Sequence, residues 1–138
     1  MPAANAPNRN QGIASYDYAF VRIVPHVERE EFLNVGVILY CRTKRYLDAQ
    51  VALDPERFLA IVPHFDEHLL QLFKTHIELI PQICAGAGPI GALEQAERFH
   101  WLVAPRSASI QVSAVHSGLC IDPQAALDEL FMTHVIIS

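Results

Sequence analysis

Two runs rich in β-branched and aromatic residues, FLNVGVILYCR (Phe32 to Arg42) and YLDAQVAL (Tyr46 to Leu53), meet across the polar break RTKR (Arg42 to Arg45). A connection this short joins antiparallel neighbours as a hairpin, because a parallel crossover needs about a dozen residues or more. The preceding run, YDYAFVRIV (Tyr16 to Val24), is linked by PHVEREE (Pro25 to Glu31), which is also too short for a crossover. The chain is therefore predicted to open as a three-stranded antiparallel meander.

Side chains alternate across a strand, so the middle run puts Leu33, Val35, Val37, Leu39 and Cys41 on one face, read as core. The other face carries Asn34, Gly36, Ile38, Tyr40 and Arg42, and Tyr16, Tyr18, Phe20 and Arg22, with Asp48 and Gln50, are assigned to it from the neighbouring strands. An aromatic face with polar interruptions lines a ligand cleft or a protein interface, or is half covered by a helix; the sequence leaves both readings open.

After Leu53 the period becomes helical. Asp54-Pro55 is a helix start, and the segment after it runs to Pro63. From Asp66 to Cys84, apolar residues such as Leu69, Leu70, Phe73, Ile77 and Ile80 recur at helical spacing, with Pro81 expected to kink the helix or end its main body one turn early. Gly86 to Pro89 terminates it, Gly91 to Leu102 reads as another helix, and SIQVSAV (Ser109 to Val115) supplies a fourth strand. Asp122-Pro123 opens a closing amphipathic helix with Leu127, Leu130 and Phe131 inward. Residues 1–14 read as a disordered tail and 15–138 as one α+β domain, a small antiparallel sheet packed against helices.

At 138 residues and 51% hydrophobic content the chain can bury one core, yet no apolar run approaches the ~20 residues of a spanning helix. The start lacks the apolar stretch of a secretory signal, which predicts a cytoplasmic protein. A net charge of -5 argues against binding to nucleic acid or to an anionic membrane. Cys41, Cys84 and Cys120 form no CxxC pair and are expected as reduced thiols. His64 and His68 have helical spacing but no HExxH frame, so neither a metal nor a cofactor is expected.

The chemistry-bearing stretch is RSASIQVSAVHSGLC, Arg106 to Cys120. Arg106 offers a planar fork of donors, Ser107 and Ser117 offer hydroxyls, and Gly118 admits close backbone approach, which together suit an anion. The alternative pairs Arg106 with Asp17, Asp48 or Glu97 and makes Ser117-Gly118 a turn. His116 and Cys120 resemble a nucleophile pair, but Asp122 competes for the same helix end and raises the thiol pKa. No G-x-S-x-G elbow supports a serine mechanism. Asn34, on an apolar strand, needs partners if buried, and Glu28, Arg29, Glu30 and Glu31 read as a solvated loop.

Two function classes follow. One is a binding or accessory module, expected as a homodimer, that recognises a partner protein or a small anionic ligand through Arg106 to Cys120, with Arg22, Asn34 and the Glu28 to Glu31 loop as neighbours. The other is a low-turnover hydrolase or transferase in which Arg106 binds an anionic substrate and His116 is general acid or base.

The segments YDYAFVRIVPHVEREEFLNVGVILYCR and RFHWLVAPRSASIQVSAVHSGLC, with the Asp-Pro that opens the last helix, resemble a bacterial family of domains of unknown function, number 3037, over Tyr16 to Phe131. The resemblance brings no activity, cofactor or catalytic residue. It implies an accessory or regulatory partner, a HipA-like kinase.

Overall fold

The computed structural model describes residues 12–25, 32–105 and 109–136. Its strands are β1 (Ala14–Ile23), β2 (Leu33–Cys41), β3 (Tyr46–Val51), β4 (Ile110–Val112) and β5 (His116–Cys120). They form one antiparallel sheet in the order β3-β2-β1-β4, with β5 also pairing β1. The predicted meander and fourth strand are there. The fifth strand is new, and it is made of the residues that carried the candidate chemistry. The β2–β3 hairpin turns as its polar break requires: Arg45 donates its amide to the Arg42 carbonyl at 3.1 Å and takes a positive φ of 52°. On the far side of β3, the outward amide of Ala49 is taken by the Asp48 carboxylate at 2.8 Å.

Helices cover both faces of the sheet. On one side α1 (Pro55–Ile61), α2 (Glu67–Cys84), the single turn α3 (Gly88–Gly91) and α4 (Gln95–Leu102) enclose a core of Val21, Ile23, Val35, Ile38, Leu70, Ile77 and Phe99. On the other, α5 (Pro123–Phe131) and the π-helical turn Met132–Ile136 lie on β2 and β3, with Leu127 wholly buried against Phe20, Val37, Leu39 and Cys41.

The faces of the sheet differ from those that simple alternation predicts. In the β1–β2 register Tyr18 lies opposite Leu39 and Phe20 opposite Val37, so the β1 aromatics share a face with Val37, Leu39 and Cys41, not with Ile38 and Tyr40. Tyr40 points the other way, its ring centroid 5.3 Å from that of Phe99. Moreover, Val21 pairs with Gly36 but Arg22 with Asn34, which leaves Val35 as an extra residue on β2. That bulge resets the alternation, so Val35 joins the core under α2 while Asn34 turns towards the opposite face.

Side chains of Asp54 and Asp66 cap α1 and α2, each accepting two backbone amides, and Asp122 caps α5 by accepting from Gln124. α2 does not end at Pro81 but continues through it to Cys84. The Arg98 guanidinium then ties the helix layer together, donating to the Cys84 carbonyl at 2.7 Å and the Leu93 carbonyl at 2.8 Å. The helix predicted from Gly91 starts at Gln95, since Gly91 ends α3 pressed against Gly86, where a Cβ would sit 2.3 Å from backbone.

β4 and β5 lie end to end along the same side of β1. Val112 pairs with Val21, but His116 pairs with Tyr18, so Ser113, Ala114 and Val115 span one residue more than β1 does. At this interruption the Ser113 hydroxyl accepts the Phe20 amide at 2.8 Å and donates to the Ala114 carbonyl, while the Ser113 amide reaches the Phe20 carbonyl at 2.9 Å. A side-chain oxygen thus stands in for a ladder carbonyl.

Candidate functional site

β5 sits on β1 through the pairs Tyr18–His116, Asp17–Ser117, Tyr16–Gly118, Ser15–Leu119 and Ala14–Cys120. Successive side chains point to opposite faces. His116 therefore lies on the α5 face, its ring centroid 5.4 Å from Tyr18. Ser117 lies on the opposite face, where its hydroxyl donates to the Asp17 carboxylate at 2.9 Å. Neighbours in sequence, the imidazole and the hydroxyl are separated by the sheet itself.

Gly118 has a packing partner instead of a turn. A Cβ there would lie 2.6 Å from the Tyr16 ring, so the absent side chain makes room for the phenol. Cys120 is half-buried, and burial with the neighbouring Cys41 holds its thiol above the usual value, so it carries no activated thiolate. Arg106 and Ser107, like Glu28 to Glu31, lie outside the described residues.

Arg22 and Asn34 come together, but away from His116. The Arg22 Nε donates to the Asn34 Oδ1 at 3.2 Å, and its guanidinium carbon sits 4.0 Å from the centroid of the Phe32 ring. Burial lowers the Arg22 pKa. The Asn34 Nδ2 donates to the His134 carbonyl at 3.3 Å, which ties the start of β2 to the end of the chain. Four residues of extended chain, about 13 Å, separate Arg22 from the Tyr18 rung that carries His116. The described members of the candidate set thus form two places, not one pocket.

Between them runs a ladder of rings. Tyr16, Tyr18 and Phe20 follow one another at centroid spacings of 5.7 Å, and His134 approaches Phe20 at 5.0 Å. Because α5 rests on β2 and β3, the β1–β5 end of this face is left as an open groove of about 660 Å³. Tyr16 and Cys120 floor it, and Ala125, Ala126, Glu129 and Leu130 form its helical wall. Burial, with Tyr18, Cys120 and Glu129 nearby, raises the Tyr16 phenol, keeping it a neutral donor. The charged lining residues are Asp122, already engaged as a cap, and Glu129. At the groove's end the Lys44 ammonium donates to the Ile121 carbonyl.

The ends of β1 and β5 give the groove an apolar, exposed rim: Leu119 and Ile13 are each 72% exposed and Ile121 63%. Sequence reasoning missed this wall, because Ala125 and Ala126 carry no chemical signature and Leu119 looks like an ordinary core leucine. Three exposed aliphatic residues around the ends of β1 and β5 were the available signal. Among the described residues no group of His, Cys, Asp and Glu could hold a metal ion, and no helix is long and apolar enough to cross a membrane.

A family model described as a protein of unknown function, DUF3037, matches residues 18–135. No curated protein and no solved structure matches the chain.

Proposed function

The chain belongs to the DUF3037 family of proteins of unknown function, and from that premise we propose that it is a cytoplasmic accessory module that takes an apolar segment of a partner protein into the groove between β5 and α5. The observation that carries this reading is the groove itself, aromatic-floored, walled by small residues, and continuous with the exposed side chains of Ile13, Leu119 and Ile121. Contiguous exposed apolar surface of this kind marks protein interaction sites and ligand-binding grooves. A small anion fits it less well, since the acidic lining residues Asp122 and Glu129 repel one. A kinase-like protein, as the resemblance implies, is one partner that could supply such a segment.

The test is Ala125→Arg. Ala125 is exposed on the groove wall, so a long side chain there fills the groove at little cost to a helix. The variant is expected to melt with the parent protein and to lose the partner that co-purifies with the tagged parent from its own cells. Full retention of that partner by Ala125→Arg would refute the reading. Saturable binding of inorganic phosphate or pyrophosphate that disappears in His116→Ala would replace it with the small-anion alternative.

A further inference from the structure

We propose that two copies of this chain join through β5, in antiparallel register about Gly118, and that the two grooves become a single trough. The inference concerns the sheet edge, and it stands whatever occupies the groove.

The backbone of β1 fixes which groups of β5 face outward. Phe20 turns both its amide and its carbonyl to Ser113, and Val24 gives its amide to the Ser109 carbonyl. The even-numbered residues of β1 thus bond towards β4 and β5. Ser15 agrees, its carbonyl accepting the Cys41 thiol on the β2 side. Alternation then makes His116, Gly118 and Cys120 the residues whose backbones face β1, and it sends the amides and carbonyls of Ser117 and Leu119 off the sheet. Among the described residues nothing pairs with β5 from outside.

Protein edges are normally guarded by charge, proline or a covering element. The opposite edge has such a guard, with the Ala49 amide held by Asp48. Among the described residues no element covers β5, and no residue from Ser107 to Ile121 carries a formal charge or is a proline. For a chain of net charge -5, a neutral strip is the place where a second copy meets least repulsion.

The strip is also self-complementary. With Gly118 on the two-fold axis, Ser117 faces the partner's Leu119 as a hydrogen-bonded pair, and Leu119 faces the partner's Ser117 likewise. All four outward groups on each copy are satisfied. The two Leu119 side chains, each 72% exposed in the single chain, become diagonal neighbours within reach of one another. On the other face His116 lies opposite the partner's Cys120, and both α5 helices stand on the same side of a continuous sheet. The floor between them is then built from Tyr16, Tyr18 and His116 of both copies.

Sedimentation equilibrium of the parent protein over a wide range of concentration should give twice the 15.4 kDa of one chain at the upper end. Leu119→Lys and Ser117→Pro should each return the mass of a single chain with unchanged circular dichroism. Leu119 is exposed, the Ser117 amide takes no part in the β1 ladder, and the Ser117 hydroxyl gives up only an exposed bond to Asp17, so both changes leave the monomer's core intact. His116→Cys reports the register: mild oxidation should crosslink position 116 to the partner's Cys120, since the two form a non-hydrogen-bonded pair with Cα atoms about 4.5 Å apart. Within one chain these positions lie four strand residues apart, too far for a disulfide. A parent protein that stays monomeric throughout overturns the proposal, as does a dimer that survives Leu119→Lys and yields no crosslink. Loss of partner capture in Ala125→Arg with the dimer intact, or the reverse, separates the fate of this inference from that of the groove.

Discussion

Ser113→Ala isolates one hydrogen-bonding arrangement. Ser113 is the buried polar side chain of the described structure, 7% exposed, and its hydroxyl is the acceptor for the Phe20 amide. Alanine fits the same space, so no cavity forms and no new contact arises. What remains is a donor on a buried strand with no acceptor, since the Ala114 carbonyl that the hydroxyl served is next to solvent-exposed chain. A buried polar group stranded in this way costs about 1 to 3 kcal/mol. For a chain of 138 residues, with an unfolding entropy of about 2.1 cal/mol/K per residue, that lowers Tm by roughly 3 to 10 °C. Ser117→Ala is the matched control. It removes the same hydroxyl from the same edge, but from an exposed bond to Asp17, so it should stay within about 0.5 kcal/mol of the parent. Urea denaturation with an unchanged m-value measures both, and amide exchange at Phe20 should quicken in Ser113→Ala alone. Equal stabilities for the two variants would refute the assignment of Ser113 as a substitute ladder acceptor.

Other outcomes follow from packing and ionisation. Gly118→Ala should destabilise, because its Cβ meets the Tyr16 ring at 2.6 Å; a double-mutant cycle with Tyr16→Ala should recover part of the loss, and additive losses would count against the contact. Leu127→Ala, at a position with no exposure, should cost about 2 to 5 kcal/mol and loosen α5 from the sheet, as read by urea denaturation. Burial, with Asp48 adding to it, pushes the Cys84 thiol up to about 12 from its ordinary 9.0. The folded value lies above the unfolded one, so this contribution to stability is complete below pH 9.0 and is lost as pH climbs towards about 12. Replacing Cys84 by Val should flatten that alkaline decline, and an unaltered pH profile would show that another group causes it. At pH 8, thiol reagents should reach half-buried Cys120 before the buried Cys41 and Cys84.

The meander was legible because it depends on local rules: run length, β-branching, and a break too short for anything but a hairpin. The capped helices were legible for the same reason, with Asp54, Asp66 and Asp122 each where a cap is required. The faces of the sheet were not. One extra residue at Val35 inverts the phase for everything before it, and the phase of β1 against β2 depends on a connection whose register sequence does not encode. The same limit hid β5. HSGLC has little strand propensity of its own, and Gly118 belongs there only because Tyr16, a hundred residues earlier, lies across it. The candidate residues around His116 were found by chemistry, but their division between two faces is a property of the strand they share.

The Asp48 side chain on the Ala49 amide decides how far any pairing of these sheets can go. A sheet receptive at both edges can add copies without end, which is how fibres grow; a sheet receptive at one edge closes after a single addition. In a dimer joined through β5, Asp48 would therefore act as a chain terminator, and its loss would leave the Ala49 amide open on the other edge and favour the addition of further copies.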